Sequence, residues 1–321
     1  MSSRIIMLAI AAVMFCAAVP AQAAYPDRPV TLLVGYAPGG STDIIARLLA
    51  KSLSDQWKQT VVVENKAGAS GMIAADSVVR AAPDGYTLLL GYTPEVSINK
   101  LVFKEMRYDP INDLTPIALV ASAPLVLASG PKLPARNWKA LLALKGKEAA
   151  IAYGSPGVGG QQHMAGEVLK RLTGLPLQHI PYRGTSLAVQ DLVGGQIDLF
   201  FATTPPLLGN IRAGKIWPIL VAGDKREKLL PDVPTAVELG VPDLQLTNWF
   251  GVFGPGQLPD PIAQKIGTDV MGILASKNFI EELEAKGLTP TPLQGEDFAG
   301  FIQDEMAKYQ RIIQETGISQ R

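Results

Sequence analysis

The chain has 321 residues, with 29 Lys and Arg against 29 Asp and Glu, 31 Gly, 25 Pro and a single Cys. Balanced charge excludes a general basic field for nucleic acid, and the 47% share of hydrophobic residues excludes a disordered chain. The Gly and Pro content is aperiodic, which excludes collagen, and the length suits about two domains.

The first 23 residues read as a secretory signal. Arg4 supplies a positive start, Ile5 to Val19 form an uncharged apolar run, and Ala21-Gln22-Ala23 is an A-x-A cleavage site. The run is short for a membrane span, which needs about 20 residues. Cys16 follows the bulky Phe15, which argues against lipidation there. The expected mature chain starts at Ala24, is soluble, lies outside the inner membrane and has no Cys. Its stability must then come from its core.

Strand-like and helix-like blocks alternate from there. Val30 to Gly35 is a short apolar run. Ser41 to Trp57 has helical spacing, with Ile45, Leu49, Leu53 and Trp57 every four residues. Val61-Val62-Val63 is β-branched. Ser70 to Ala82 predicts a helix ended by Pro83, and Tyr86 to Leu90 a strand after the turn Pro83-Asp84-Gly85. This order implies a parallel sheet covered by helices.

The rhythm restarts at residue 149. Strands are expected at Ala149 to Tyr153, Leu177 to Ile180, Ile197 to Ala202 and Ile216 to Ala222. Helices are expected at Gly160 to Leu172, at Thr185 to Val193 with Gly194 as its cap, and at Pro205 to Ala213 opened by Thr204. Two segments between the units, Leu119 to Ser129 and Leu246 to Pro255, look like connections. The tail predicts helices at Pro261 to Leu274, Asn278 to Lys286 and Glu296 to Ile313. Little further strand follows Pro255, so the tail needs an existing sheet to cover.

Three strand-to-helix turns carry the candidate chemistry. Gly35-Tyr36-Ala37-Pro38-Gly39-Gly40-Ser41-Thr42-Asp43 nearly matches a phosphate loop, but Ser41 stands where the Lys belongs. What remains is a set of backbone N–H groups at a helix start, a general anion site. Gly154-Ser155-Pro156-Gly157-Val158-Gly159-Gly160 is neither a nucleophile elbow nor a dinucleotide fingerprint, since Tyr153 and Gln162 stand where glycines are required. Ser155 is expected to donate to a ligand. Thr203-Thr204 before Pro205 is a weaker third turn.

His163 and Glu167 share a helix face at i,i+4 and read as a surface hydrogen-bond pair; too few ligand residues stand there to predict a metal. Asp43, Asp198 and Asp232 are scattered, and no carboxylate pair for acid–base work is visible. No cofactor, catalytic residue or metal is expected.

Many of these residues fall in short stretches that resemble the periplasmic solute-binding receptors of tripartite tricarboxylate transporters, the Bug receptors. The stretches are Tyr25-Pro26-Asp27-Arg28-Pro29, Pro38-Gly39-Gly40 with Asp43, Glu64-Asn65-Lys66, Pro83-Asp84-Gly85-Tyr86-Thr87, Gly154-Ser155-Pro156-Gly157, Pro181-Tyr182-Arg183-Gly184, Gly194-Gly195-Gln196-Ile197-Asp198, Asp232-Val233-Pro234-Thr235 and Trp249-Phe250-Gly251. Their order and number extend along essentially the whole chain. Gly35, where many relatives carry Pro, and Ser70, where Gly is usual, depart from the pattern.

The resemblance implies a two-lobed α/β periplasmic-binding-protein fold of Venus-flytrap, type II-like form, with two crossover strands as hinge. Residues 25–121 plus 248–321 are expected to form one lobe and 122–247 the other. A small carboxylate (a di- or tricarboxylate, an acidic amino acid or an aromatic acid) is expected between them, bound by a monomer and delivered to a two-component membrane transporter. The residues expected at the ligand are Tyr36, Pro38, Gly39, Gly40, Ser41, Thr42, Asp43, Tyr92, Ser155, Gly157, Val158, Gly159, Gly160, Thr203 and Thr204. The competing readings are an exported enzyme on the same scaffold, using Ser155 and His163, and a sensor presenting its ligand to a membrane kinase.

Overall fold

The computed structural model describes residues 25–146 and 149–318. The expected signal segment and cleavage site lie outside the described residues. Among the described residues no helix is long and apolar enough to cross a membrane.

The strands are β1 (Val30–Val34), β2 (Val61–Asn65), β3 (Thr87–Tyr92), β4 (Leu114–Pro124), β5 (Val126–Ser129), β6 (Ile151–Ser155), β7 (Leu177–Pro181), β8 (Leu199–Ala202), β9 (Trp217–Val221), β10 (Thr247–Pro255) and β11 (Thr289–Gln294). The helices are α1 (Ser41–Trp57), α2 (Met72–Val79), α3 (Asn99–Val102), α4 (Trp138–Leu142), α5 (Gln161–Thr173), α6 (Thr185–Val193), α7 (Thr204–Arg212), α8 (Asp260–Leu274), α9 (Lys277–Glu284) and α10 (Gly295–Thr316). One sheet has the order β11-β4-β10-β3-β1-β2 and the other β7-β6-β8-β5-β9. Each is the floor of one lobe.

Neither sheet is purely parallel as the strand–helix rhythm implied. β1 pairs in parallel with β2 and β3, but β10 runs antiparallel to both β3 and β4. In the second sheet β6 is parallel to β7 and β8, whereas β5 is antiparallel to β8 and β9. Of the antiparallel strands, β5 and β10 arrive from the other lobe, whereas β11, antiparallel to β4, follows helices of its own lobe.

At the crossing, Leu125 separates β4 from β5. Its N–H donates to Leu246 O, its carbonyl accepts from Ala222 N–H, and Leu246 N–H donates to Ala222 O. Three chain segments are thus tied at the point where the lobes meet. α10 is a further crossing. Phe298 and Ile302 pack with Trp249 and Phe253 of the first lobe, while Tyr309, Ile312 and Ile313 join the cluster around Val168, Leu169 and Leu199 of the second.

Several sequence boundaries shift. The helix expected from Ser70 begins at Met72 and ends at Val79, because Gly68, Ala69, Ser70 and Gly71 all have positive φ. Gly194 caps α6 in a right-handed conformation; the left-handed turn falls on Gly195. Thr203, not Thr204, is the residue before α7. The tail also carries β11, which the sequence reading lacked; its Thr-Pro-Thr-Pro start has no apolar alternation, and it survives as an edge strand on β4.

Candidate functional site

Four helix starts converge between the lobes. In parallel segments the strand ends lead directly into helix N-termini: β1 to α1, β6 to α5, β7 to α6 and β8 to α7. The residues before these helices are Gly40, Gly160, Gly184 and Thr203, and none makes a side-chain cap. Uncapped first-turn N–H groups, with the positive end of each helix dipole, favour an anion.

The lobes touch directly here. Ser41 Oγ lies 2.5 Å from Thr203 Oγ1, and Ser186 Oγ donates to Pro38 O at 2.7 Å. Gln162 Nε2 donates to the Tyr92 hydroxyl, and Ser70 Oγ donates to Val158 O at 3.0 Å. An inner crevice of about 20 Å³ remains, lined in part by Tyr36, Gly40, Ser41, Thr42, Tyr92 and Thr203. That is room for about one water molecule. A second space, a chamber of about 340 Å³, is bordered by Gly71, Phe103, Gly157, Val158, Tyr182 and Arg183 among others. Tyr36 borders both spaces.

Most of the expected residues reach these spaces, and some do not. Tyr36, Gly40, Ser41, Thr42, Tyr92 and Thr203 line the crevice, and Gly157 and Val158 the chamber. Gly39, Gly159 and Gly160 shape the turns beside them. Pro38 acts through its carbonyl on Ser186. Asp43 points back: its carboxylate accepts from Gly39 N–H, Arg47 and Asn65. Burial alone would raise its pKa, and these bonds outweigh that and hold it below the usual Asp value. Thr204 is fully buried against Gly287, and its hydroxyl has no partner among the described residues.

Ser155 is also fully buried and borders neither space. Its Oγ lies 2.6 Å from His179 Nε2. An imidazole therefore does stand beside this Ser, that of His179 rather than His163, and since the Ser155 hydroxyl donates to Gly157 O, Nε2–H donates to Oγ. His163 stacks on His179 at 3.9 Å between ring centroids, and its Nδ1 accepts from Gly159 N–H. Glu167 does not pair with His163 by hydrogen bond, as the helix spacing suggested; it accepts from Tyr153 OH at 2.6 Å. Burial, then the neighbouring His163, push His179 down to about 3, so the stack is neutral near pH 7. It braces the turn from Ser155 to Gly160 from below.

Sequence reasoning missed Gln162, Asn248, Phe250 and Thr185 in the crevice, and Gly68 to Gly71, Phe103, Tyr182 and Arg183 at the chamber. Gln162 and Asn248 each leave a buried carbonyl oxygen without a partner among the described residues, so both add spare acceptors to the crevice. Two signals existed in the sequence: the Gln162 side chain in a helix's first turn, and an Asn inside the apolar run of β10. Among the described residues no cluster of His, Cys, Asp or Glu suits a metal ion.

The described geometry has close counterparts. The model of the tripartite tricarboxylate transporter family receptor matches residues 45–318. This chain belongs to that family. It is 35% identical to Protein BugT of Bordetella pertussis over 91% of this chain and 90% of that one. Among solved structures, periplasmic binding protein BugD superposes with a TM-score of 0.88 at 33% identity, covering 92% of this chain and 100% of that one. An R. palustris protein solved with adipate gives 0.89 at 32%, covering 92% and 99%. MatC from Rhodopseudomonas palustris, solved with malate, gives 0.84 at 30%, covering 90% and 100%. The receptor family and its two-lobed solute-binding fold are therefore those of this chain.

Proposed function

We propose that this receptor captures a small carboxylate in the cleft, in the periplasm, and presents it to a two-component membrane transporter of the tricarboxylate type. The observation that carries this reading is the convergence of uncapped helix starts from both lobes on one crevice, with Ser41 and Thr203 meeting across it. An anion there takes donors from both lobes, so it favours the closed arrangement over the open one. Relatives solved with malate and adipate point to the same ligand class.

The affinities expected of such a receptor need no cationic clamp. Micromolar binding corresponds to roughly −8 kcal/mol. A hydrogen bond to a charged group contributes about 1.5–3 kcal/mol, so several N–H donors suffice. The lobes exchange near 121/122 and 247/248 in this reading, with Leu125, Ala222 and Leu246 as the flexing point and α10 riding on both.

The test is a thermal-shift screen of mono-, di- and tricarboxylates, aromatic ones included, on protein unfolded and refolded to strip carried-over ligand. A clear rise in melting temperature with one carboxylate subset supports the reading. No response to any carboxylate would count against it. The enzyme reading needs Ser155 to meet a substrate; a buried hydroxyl already engaged by His179 and the Gly157 carbonyl weighs against that reading.

A further inference from the structure

Glu95 is fully buried just behind the cleft, and the reading above leaves it without a task. It sits in the π-type turn Pro94–Ile98 that follows β3, a conformation found often at functional positions. Its Oε1 accepts from Tyr92 N–H at 2.8 Å and its Oε2 from the Tyr36 hydroxyl at 2.9 Å. No cation pairs with it among the described ion pairs.

The backbone makes room for this carboxyl. A Cβ at Gly71 would lie 2.6 Å from Glu95 Oε2, and a Cβ at Gly35 would lie 2.7 Å from Gly71 Cα. Gly35, Tyr36 and Gly71 all border the chamber. The carboxyl therefore lies one residue layer behind the wall a ligand touches, and it touches that wall at the Tyr36 hydroxyl.

Its neighbours supply no compensating charge. The titratable groups that act on it are Tyr36, Tyr92 and Tyr108, which burial keeps neutral. Asp76 of α2 is paired with Arg80, and Glu305 of α10 with Lys308 and the Trp249 indole. A buried carboxyl without a cation holds its proton. Burial accordingly pushes Glu95 up to about 8.

The two protonation states treat Tyr36 differently. An ionised Glu95 only accepts, so it commits the Tyr36 O–H and withholds that donor from the cleft. A protonated Glu95 can donate to the Tyr36 oxygen, which frees the Tyr36 O–H to turn toward the cleft. We propose that Glu95 is a positioning residue acting through Tyr36, and that capture of an anion in the cleft is coupled to protonation of Glu95. This rests on the carboxylate-receptor reading. The coupling is reciprocal: the anion holds the proton on Glu95, and the proton strengthens the anion's binding.

The test uses the mature chain, with adipate and malate as probes, in calorimetry from about pH 6.5 to about pH 9.5, where the probes' carboxylates stay ionised. The wild-type affinity should fall with rising alkalinity, by up to about tenfold per pH unit for one linked proton. Glu95→Gln, which cannot ionise, and Tyr36→Phe, which lacks the hydroxyl, should each remove that slope. A slope that survives in Glu95→Gln assigns the proton elsewhere and overturns the proposal. One that survives in Tyr36→Phe overturns the route through the tyrosine. Binding with a flat wild-type profile overturns this proposal alone, whereas no binding of either probe at any pH overturns the carboxylate reading with it.

Discussion

Gly40→Ala separates a glycine kept for the fold from a glycine kept for a ligand. Gly40 has φ −82° and ψ 170°, a conformation any residue adopts. A Cβ built there has as its nearest neighbours Thr185 Cβ at 3.8 Å and Ala37 O and Thr185 Oγ1 at 3.9 Å, ordinary contacts. Two small effects on stability then oppose each other. Alanine is a poorer residue before a helix than glycine, by about 0.5–1 kcal/mol. It also restricts the unfolded chain, which stabilises by about 0.4–1 kcal/mol. The net is near zero, so the melting temperature should move by no more than about 2 °C, given about 2–4 °C per kcal/mol for a domain of this size. Binding should respond differently. The methyl group enters the crevice between α1 and α6, where the ligand's oxygen would take its N–H donors. Losing one charge-assisted hydrogen bond costs about 1.5–3 kcal/mol, a loss of roughly 10- to 150-fold. Calorimetry with the strongest carboxylate of the screen, beside thermal melts, measures both. Unchanged affinity, or a melting temperature lowered by much more than stated, refutes the claim that this space belongs to a ligand.

Other outcomes follow from the same contacts. Ser70 (φ 51°) joins the lobes through Val158 O, and a Cβ on Gly157 would lie 2.5 Å from Ser70 Oγ; Ser70→Ala should speed ligand release by about 2- to 12-fold, the worth of one neutral hydrogen bond, in stopped-flow measurements. His179 is pushed down to about 3, so the unfolded chain takes up a proton below its ordinary 6.5 that the folded chain refuses; stability is lost as pH falls from about 6.5 toward about 3, and His179→Phe should flatten that part of the acid-unfolding curve. Asp269 accepts from Trp57 Nε1 at 2.6 Å and from Gln56 Nε2 at 2.9 Å, tying α8 to α1; Asp269→Ala should cost about 1–3 kcal/mol in urea unfolding, and a loss below about 0.5 kcal/mol would deny that role.

The elements that local chemistry decides were legible in the sequence. Ser41–Trp57 and Thr185–Val193 stand at the bounds that periodicity suggests, because each stripe of apolar residues must bury against its own sheet. The Gly-rich turn before Ser41 marked the helix start proposed here for the anion, since Gly39, Gly40 and the missing Lys are local facts. The succession of short family stretches extended that reading to a two-lobed receptor.

What the tertiary structure decided is which residues meet across the cleft. Ser41 and Thr203 are 162 residues apart, and Gln162 and Tyr92 are 70 apart; no local period encodes such pairs. The same holds for Ser155, whose sequence setting among glycines promised an exposed hydroxyl, yet the stack of His163 on His179 encloses it. β11 was invisible because an edge strand needs only β4's open hydrogen-bonding groups, not an apolar face of its own. Glu95 is the strongest case. In the sequence it is one acidic residue in an ordinary-looking turn after β3. Only the approach of Gly35, Gly71 and Tyr36 from other segments removes its water, keeps its proton and sets it against the wall of the cleft. Burial is a property of the assembled lobes, so the protonation that follows from it is decided there.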